Sequence, residues 1–273
     1  MTTTVKPGFT AAASPRSWTS AQFLPGDFSD FKTQNLAPAD FPAGAFSVKD
    51  STKPATLTSP ELPAAFPFDQ LLLSADALLP DGAALEAEAQ VKTAAGWSPW
   101  FGYGRFNPSG ESASAAAQEN PFGRMDVDVL KLAKKASAYR YRLTVLPSGK
   151  KPAVIRLAAA SYTDSEAPYS PAEACARPAG AKPVKLALPK YSQMVQQVNY
   201  AGDICSPVSL SMALSGLGLK TGPLDAAAAV RDSAQNIYGN WVLDRAYAGT
   251  RGLYAYLARL NSLEEARAFL AAG

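Results

Sequence analysis

Cys205 stands where a thiol could act as a nucleophile. It lies in "YAGDICSPVSLSMALSGLGL", residues 200–219, at the predicted start of a helix. The unpaired N–H groups and the dipole at a helix N-terminus stabilise negative charge, so a thiol there loses its proton more readily and becomes the reactive thiolate. The alternative is an inert cysteine packed under the helix, because free cysteine is among the residues most often buried.

The helix that would hold this cysteine has an apolar stripe and recognisable ends. Apolar residues recur at the i, i+3, i+4, i+7 spacing of one helix face, at Leu210, Ala213, Leu214 and Leu217. Ser206 is predicted to be the N-cap and Pro207 the first helical residue. Gly216 or Gly218 can end the helix.

A candidate partner for the cysteine precedes it in the chain. Gln193, in "PKYSQM", lies twelve positions before Cys205. A glutamine amide N–H can point at the negative charge that develops on a carbonyl oxygen under nucleophilic attack. Cys205 and Gln193 together therefore suggest acyl transfer through a thiol.

The sequence around these residues resembles a known family. The stretch "LPKYSQMVQQVNYAGDICSPVSLSMALSGLG" is similar to the start of the catalytic domain of C39-like cysteine peptidases. This papain-fold group includes the bacteriocin-processing, double-glycine-leader peptidases. The stretch "AAAVRDSAQNIYGNW", residues 227–241, and the "WSPW" before it resemble the extracellular, non-transporter branch of the family.

The resemblance implies a role for each matching position. Cys205 would be the nucleophile and Gln193 the oxyanion donor. Val208 stands where threonine is commoner in the family. Asn240 and Trp241 would bind substrate by lining or bracing the cleft, or would simply form a packed turn. The expected partner is a peptide or protein substrate, and no cofactor is expected.

The general base of such an enzyme is missing from this sequence. The family places a histidine, with its Asp or Asn partner, on strands after the helices, whereas this chain ends at "FLAAG" and contains no histidine. Asp232 and Asp244 are too acidic to serve as bases for a thiol unless they are strongly perturbed. We therefore expect a fragment, a truncated product or an inactive relative, with no peptidase activity of its own.

Composition excludes several other classes of function. The 273 residues are 47% apolar and 18% charged, with a net charge of +3, as in soluble globular proteins. Basic residues form no run with interleaved aromatics, so we expect no nucleic-acid partner. No apolar stretch is long enough for a membrane helix, and the start lacks the apolar core of a signal peptide. The family branch nevertheless suggests an extracytoplasmic location. Cys175 and Cys205 form neither a disulfide framework nor a metal site.

The chain divides by composition into four parts. Residues 1–65 form an extended lead-in, either pinned by its aromatic residues or partly disordered; residues 66–164 form a β-sandwich, residues 165–189 a linker, and residues 190–273 an incomplete papain-like domain. Period-two alternation predicts strands in "ALEAEAQVKT", "AYRYRLTVL" and "PAVIRLAAASY". Helices are predicted from "SPVSLSMALSGLG" and in "GPLDAAAAVRDSA", "RGLYAYLARL" and "SLEEARAFLAAG". The predicted fold is α+β, a jelly-roll-like sandwich followed by the helical half of a papain-like domain.

An aromatic cluster offers a second function. "GWSPWFGYGRF" places Trp97 and Trp100 among glycines, where they could stack on a glycan or a peptide or simply pack in the sandwich. The alternative to a peptidase is therefore a binding module on this aromatic ledge, with a vestigial second domain. A serine hydrolase is disfavoured, because no nucleophile-elbow pattern surrounds Ser209 or Ser211.

Overall fold

A computed structural model describes residues 16–23, 30–39, 44–176 and 182–272. The strands in these residues are β1 (Ser17–Phe23), β2 (Lys32–Gln34), β3 (Leu36–Pro38), β4 (Phe46–Val48), β5 (Ala55–Thr58), β6 (Leu62–Leu78), β7 (Ala84–Thr93), β8 (Gly96–Trp97), β9 (Phe101–Phe106), β10 (Glu119–Asn120), β11 (Gly123–Asp126), β12 (Val129–Leu146) and β13 (Val154–Thr163). The helices that follow are α1 (Pro171–Ala174), α2 (Cys205–Gly216), α3 (Pro223–Val230), α4 (Trp241–Thr250) and α5 (Leu263–Ala272). The predicted α+β class with a β-rich N-terminal part is confirmed.

The three strands predicted from alternation all form. The first, "ALEAEAQVKT", is β7; the second lies in β12 and the third coincides closely with β13. Along the second half of β12, buried Tyr139, Tyr141 and Leu143 alternate with half-buried Arg140 and Arg142. Because successive side chains of a strand point to opposite faces, one face of β12 enters the core and the other meets solvent.

The strands join into one continuous sheet, where the sequence predicts the two sheets of a sandwich. Strand β12 pairs with β6 along its first half and with β7 and β5 along its second. Strand β6 pairs in turn with β13. Strands β12 and β6 have 18 and 17 residues. Each pairs with different neighbours along its length, and the register of these pairings is irregular. The main apolar core lies within this folded sheet.

Part of the predicted lead-in belongs to this sheet. Strand β1 pairs with β13, and β2 pairs with β5. Phe31 packs against the core and Phe46 is buried within it. Residues 1–15, 24–29 and 40–43, and the side chains of residues 18–23, lie outside the described part, so the other predicted aromatic anchors there are not placed. The predicted boundary after residue 65 falls inside β6.

Three of the four predicted helices form, and the prediction for "RGLYAYLARL" is wrong. Helix α4 ends at Thr250, and Gly252 then adopts a left-handed φ of 92°. The chain beyond it runs without regular structure alongside the sheet, where the Leu257 N–H donates to Ser74 Oγ at 2.8 Å. Tyr256 packs there on Leu157. These contacts outweigh the local preference for a helix.

The helices pack directly on the sheet. Val242 of α4 belongs to the main core, and Leu243 packs with Phe106 of β9. Near the end of α4, Gly249 lies so close to Asp76 of β6 that an added Cβ would be 2.0 Å from the carboxylate oxygen. Arg156 of β13 joins this contact: it pairs with Asp76 at 2.7 Å and donates to the Gly249 carbonyl at 2.9 Å. The buried ion pair therefore joins β13 to β6, and the hydrogen bond from Arg156 holds the end of α4 on the sheet.

Candidate functional site

Cys205 is the first residue of α2, and its side chain is exposed. The helix starts earlier than predicted: Ile204 is the N-cap, so the assignment of Ser206 as cap and Pro207 as first helical residue is wrong. Ile204 is fully buried, and among the described residues no side chain accepts a capping hydrogen bond at this helix start. Burial of Ile204 fixes the entry of the chain, and the first-turn amides of α2 are left without a side-chain acceptor.

The predicted end of α2 is confirmed. The helix finishes at Gly216, and Gly218 adopts a left-handed φ of 82°. The Leu219 N–H then returns to the Leu214 carbonyl at 3.0 Å and the Gly218 N–H to the Ser215 carbonyl at 3.0 Å. This is a Schellman motif, in which a glycine is favoured because it adopts positive φ without strain.

Gln193 lies beside the loop that leads to Cys205. It begins the 3-10 turn Gln193–Val195, which Ser192 caps. Its Nε2 donates to the carbonyl of Gly202 at 2.9 Å, three residues before Cys205. A primary amide carries two N–H groups, so one remains for an acceptor at the cysteine. Its role as oxyanion donor stays a prediction.

The carboxyl group of Asp244 contacts Ser206, the residue after Cys205. The Ser206 hydroxyl donates to Asp244 Oδ2, which joins α2 to α4. Asp244 is 8% exposed, and its Oδ1 has no hydrogen-bond partner among the described residues. Burial raises the pKa of Asp244 to about 7; the Ser206 hydrogen bond opposes the rise, and the charge of Asp128 adds to it. The pKa of Asp244 is therefore raised far enough for its carboxylate to act as a base near neutral pH. The sequence alone could not show this, because no pattern links positions 206 and 244.

Asp232 organises the segment before α4. Its buried carboxylate accepts from Asn240 Nδ2 at 2.8 Å and from the Ser114 N–H at 3.0 Å. The N–H groups of Ala234 and Gln235 donate to it at 3.1 and 3.3 Å. Burial alone would raise the pKa of Asp232, but these hydrogen bonds outweigh it and the pKa is lowered. Asp232 thus ties the loop that contains Ser114 to the helical part.

Asn240 and Trp241 differ in their access to solvent. Asn240 is 1% exposed, donates to Asp232 and caps α4 by accepting from the Val242 N–H at 3.1 Å. Trp241 is 49% exposed, while its backbone N–H donates to Asp128 Oδ2 at 3.0 Å. Asn240 is therefore placed to brace the turn, and Trp241 is the member of the pair that a ligand can reach. Substrate binding by either residue stays a prediction.

Two hydrogen bonds and one helix spacing connect the elements that hold the predicted site residues. Gln193 reaches the Cys205 loop through Gly202, and α2 reaches α4 through Ser206 and Asp244. Trp241 lies three residues before Asp244 on α4, a spacing that places two side chains on the same helix face about 5–6 Å apart at Cβ. The thiol, the amide and the exposed indole therefore belong to neighbouring elements.

The aromatic ledge is partly covered by arginines. The Arg140 guanidinium lies 4.5 Å from the centroid of the Trp97 ring and 5.5 Å from that of Trp100. Arg142 lies 4.4 Å from the Trp100 centroid and is held by Glu88 at 2.6 Å. A glycan or peptide that stacked on these ring faces would have to displace the guanidinium groups.

Within the described ranges, no group of three or more acidic or cysteine side chains is arranged to hold a metal ion. No helix of those ranges has the length and apolar character needed to cross a membrane.

Comparison with known families gives two matches that cover most of the chain. The model of the Peptidase C39 N-terminal domain matches residues 14–161, and that of the Peptidase_C39 like family matches residues 185–264. No curated protein matches the chain.

Likenesses to solved structures are weak. A family two carbohydrate esterase from Cellvibrio japonicus is 9% identical, with a TM-score of 0.28 over 54% of this chain and 34% of the esterase. Tailspike protein 4 of bacteriophage CBA120 is 14% identical, with a TM-score of 0.25 over 53% of this chain and 19% of the tailspike. A family 29 carbohydrate binding module is 10% identical, with a TM-score of 0.28 over 58% of this chain and 98% of the module. The chain thus spans about a third of the esterase and a fifth of the tailspike protein.

Proposed function

The chain belongs to the C39-like peptidase family, and on that premise we propose that it is a cysteine peptidase-like hydrolase that acts on a peptide or protein by thiol acyl transfer. Cys205 is the nucleophile and Gln193 the oxyanion donor. Residues 190–273 form the helical half of a papain-like domain, which a linker at 165–189 joins to the β-rich part.

The exposed thiol at an uncapped helix start is the observation that supports this proposal most strongly. Since no side chain in the described part of the chain caps α2, its first-turn N–H groups remain to stabilise negative charge on Cys205 Sγ. Gln193 is anchored three residues away in the chain, at Gly202. A cysteine that only filled the core would be buried, whereas this one is open to a substrate.

The proposed reaction has two steps. Cys205 Sγ attacks the substrate carbonyl carbon, the C–N bond breaks, and the amine leaves with a proton. Water then attacks the thioester, which releases the acid and restores the thiol. Both steps pass through an oxyanion that an N–H of Gln193 would stabilise. The sequence contains no histidine to move these protons, so we expect peptide hydrolysis by this chain to be absent or slow.

An activated ester tests the first step without a strong base. 4-Nitrophenyl acetate needs no proton on its leaving group, so Cys205 should release one equivalent of 4-nitrophenolate and retain the acetyl group. Mass spectrometry of the digested protein should find the acetyl group on Cys205 and little on Cys175, the other exposed cysteine. Cys205→Ala should lose the burst and Cys175→Ala should keep it. Equal acetylation of both cysteines would contradict the proposal.

A further inference from the structure

A groove between the sheet and the start of α4 includes Trp241 but neither Cys205 nor Gln193. It has a volume of about 420 Å³ and opens to solvent. Its walls come from the β11–β12 hairpin, from β6 and from the segment around α4. The side chains used below are Gln70, Asp126, Lys131, Trp241 and Arg259.

The groove is built by contacts between distant parts of the chain. Asp128, in the two-residue turn of the hairpin, is 7% exposed and accepts the Trp241 N–H at 3.0 Å. Beside it, Val127 has a φ of 56°, which strains a β-branched side chain. Strained residues of this kind persist where the surroundings hold them, and they concentrate at binding sites. The hairpin thus forms a wall of the groove that is anchored to the start of α4.

The charges of the groove cancel locally. Lys131 pairs with Asp126 across the hairpin, whereas Arg259 donates to the neutral amide of Gln70. The charges of Asp128 and Arg259 attract each other, so two carboxylates balance two cations in the groove. A charged ligand would therefore be repelled by a group next to each group that attracts it. A neutral ligand that is rich in hydroxyl groups would meet no such repulsion. A hydroxyl both donates and accepts, so it can pair with a carboxylate, an amide or an ammonium group.

Trp241 supplies the apolar surface of the groove. Among the described residues no cation or aromatic ring lies over its indole, in contrast to Trp97 and Trp100. The indole is 49% exposed and its backbone is fixed at the start of α4. A half-exposed ring beside paired charges and a neutral amide suits a ligand that has one apolar face and a polar rim. A pyranose ring has these two properties, because its C–H groups form a face and its hydroxyls form the rim.

We propose that this groove binds a neutral oligosaccharide, with one pyranose ring stacked on Trp241 and its hydroxyls paired with Asp126, Lys131 and Gln70. This site is separate from the aromatic ledge at Trp97 and Trp100. It does not depend on the proposed reaction at Cys205, so Cys205→Ala should bind sugar as the wild type does.

Titration with neutral pentasaccharides tests the proposal. The full chain is titrated with cellopentaose, xylopentaose, maltopentaose, mannopentaose and chitopentaose, and binding is followed by calorimetry. We expect saturable binding of at least one sugar, with a Kd of about 0.1 to 1 mM, as suits an open groove. No saturation with any of the five at about 10 mM would overturn the proposal.

Variants locate the site and separate binding from folding. Trp241→Ala should weaken binding at least about tenfold and Trp241→Phe only about threefold, since phenylalanine keeps a stacking face. Leu263→Ala, at a residue of α5 that is 62% exposed and outside the groove, should change nothing. Lys131→Ala, on a half-exposed side chain, should weaken binding without altering the urea midpoint. Unchanged affinity in Trp241→Ala, or tighter binding of a peptide or an anionic polysaccharide, would overturn the assignment.

Discussion

Ser206 and Asp244, 38 residues apart in the sequence, are joined by a hydrogen bond from the serine hydroxyl to the aspartate carboxyl group. The bond links α2, which begins at Cys205, to α4, which begins at Trp241. A buried acid with a pKa near neutrality therefore lies next to the proposed nucleophile segment.

This acid should make the stability of the protein depend on pH. The pKa of Asp244 is raised to about 7 in the folded state, from an ordinary value of 3.8. A group with a raised pKa stabilises the fold fully below its unfolded pKa, and that stability is lost as the pH rises through the folded pKa. Between pH 5 and pH 8, we expect the free energy of unfolding of the wild type to fall by about 1–3 kcal/mol more than that of Asp244→Asn.

Urea unfolding at several pH values measures this difference. Asp203→Asn, which removes an exposed carboxylate just before α2, is the matched control and should follow the wild type. If the free energy of unfolding changes with pH in the same way for the wild type and for Asp244→Asn, Asp244 does not titrate between pH 5 and pH 8.

Asp232 should be essential for the segment that precedes α4. Its carboxylate accepts four hydrogen bonds, from Ser114, Ala234, Gln235 and Asn240. Asp232→Ala leaves these donors without their acceptor, so we expect a loss of about 3 kcal/mol or more in the free energy of unfolding. Asp81→Ala, at an exposed turn, should cost less than about 0.5 kcal/mol. A small effect at Asp232 would mean that water replaces the carboxylate at little cost.

Gly249 should tolerate no side chain. A Cβ at this position would lie 2.0 Å from Asp76 Oδ1, so Gly249→Ala must push α4 away from β6 or break the pairing with Arg156. We expect a loss of about 1–3 kcal/mol, measured by urea unfolding. Gly239→Ala is the control, since a Cβ there meets nothing within 4 Å. Equal stability of the two variants would contradict the close contact between α4 and β6.

Gln193 should affect acylation of Cys205 and not its alkylation. Acetyl transfer from 4-nitrophenyl acetate passes through an oxyanion, whereas displacement of iodide from iodoacetamide does not. Gln193→Ala should therefore slow acetylation of Cys205 by about tenfold to a hundredfold and leave alkylation within about twofold. Gln196→Ala, whose amide instead contacts the Ser192 carbonyl at 3.0 Å, should change neither rate. Equal slowing of both reactions in Gln193→Ala would indicate a purely structural role.

The local elements of this protein follow from residues that are close in sequence. Alternation of apolar and polar residues predicts β7 and the second half of β12, because a strand turns successive side chains to opposite faces. Gly218 likewise predicts the end of α2. The apolar stripe predicted for this helix is not its buried face, because Ala213 and Leu217 are exposed. The buried residues are Pro207, Val208, Ser211 and Leu214. Cys205 and Gln193 are predicted as site residues from residue type and from resemblance to the family over a short stretch.

Tertiary structure decided the features that depend on distant partners. The Ser206–Asp244 bond, the hydrogen bonds to Asp232 and the groove at Trp241 join segments with no shared pattern. Residues 253–260 show the same effect, since their contacts with β6 and β13 replace the helix that their sequence favours. Periodicity reports only which face of an element is apolar. Burial determines which polar groups lose water and which charges meet, and it arises only when the whole chain has packed.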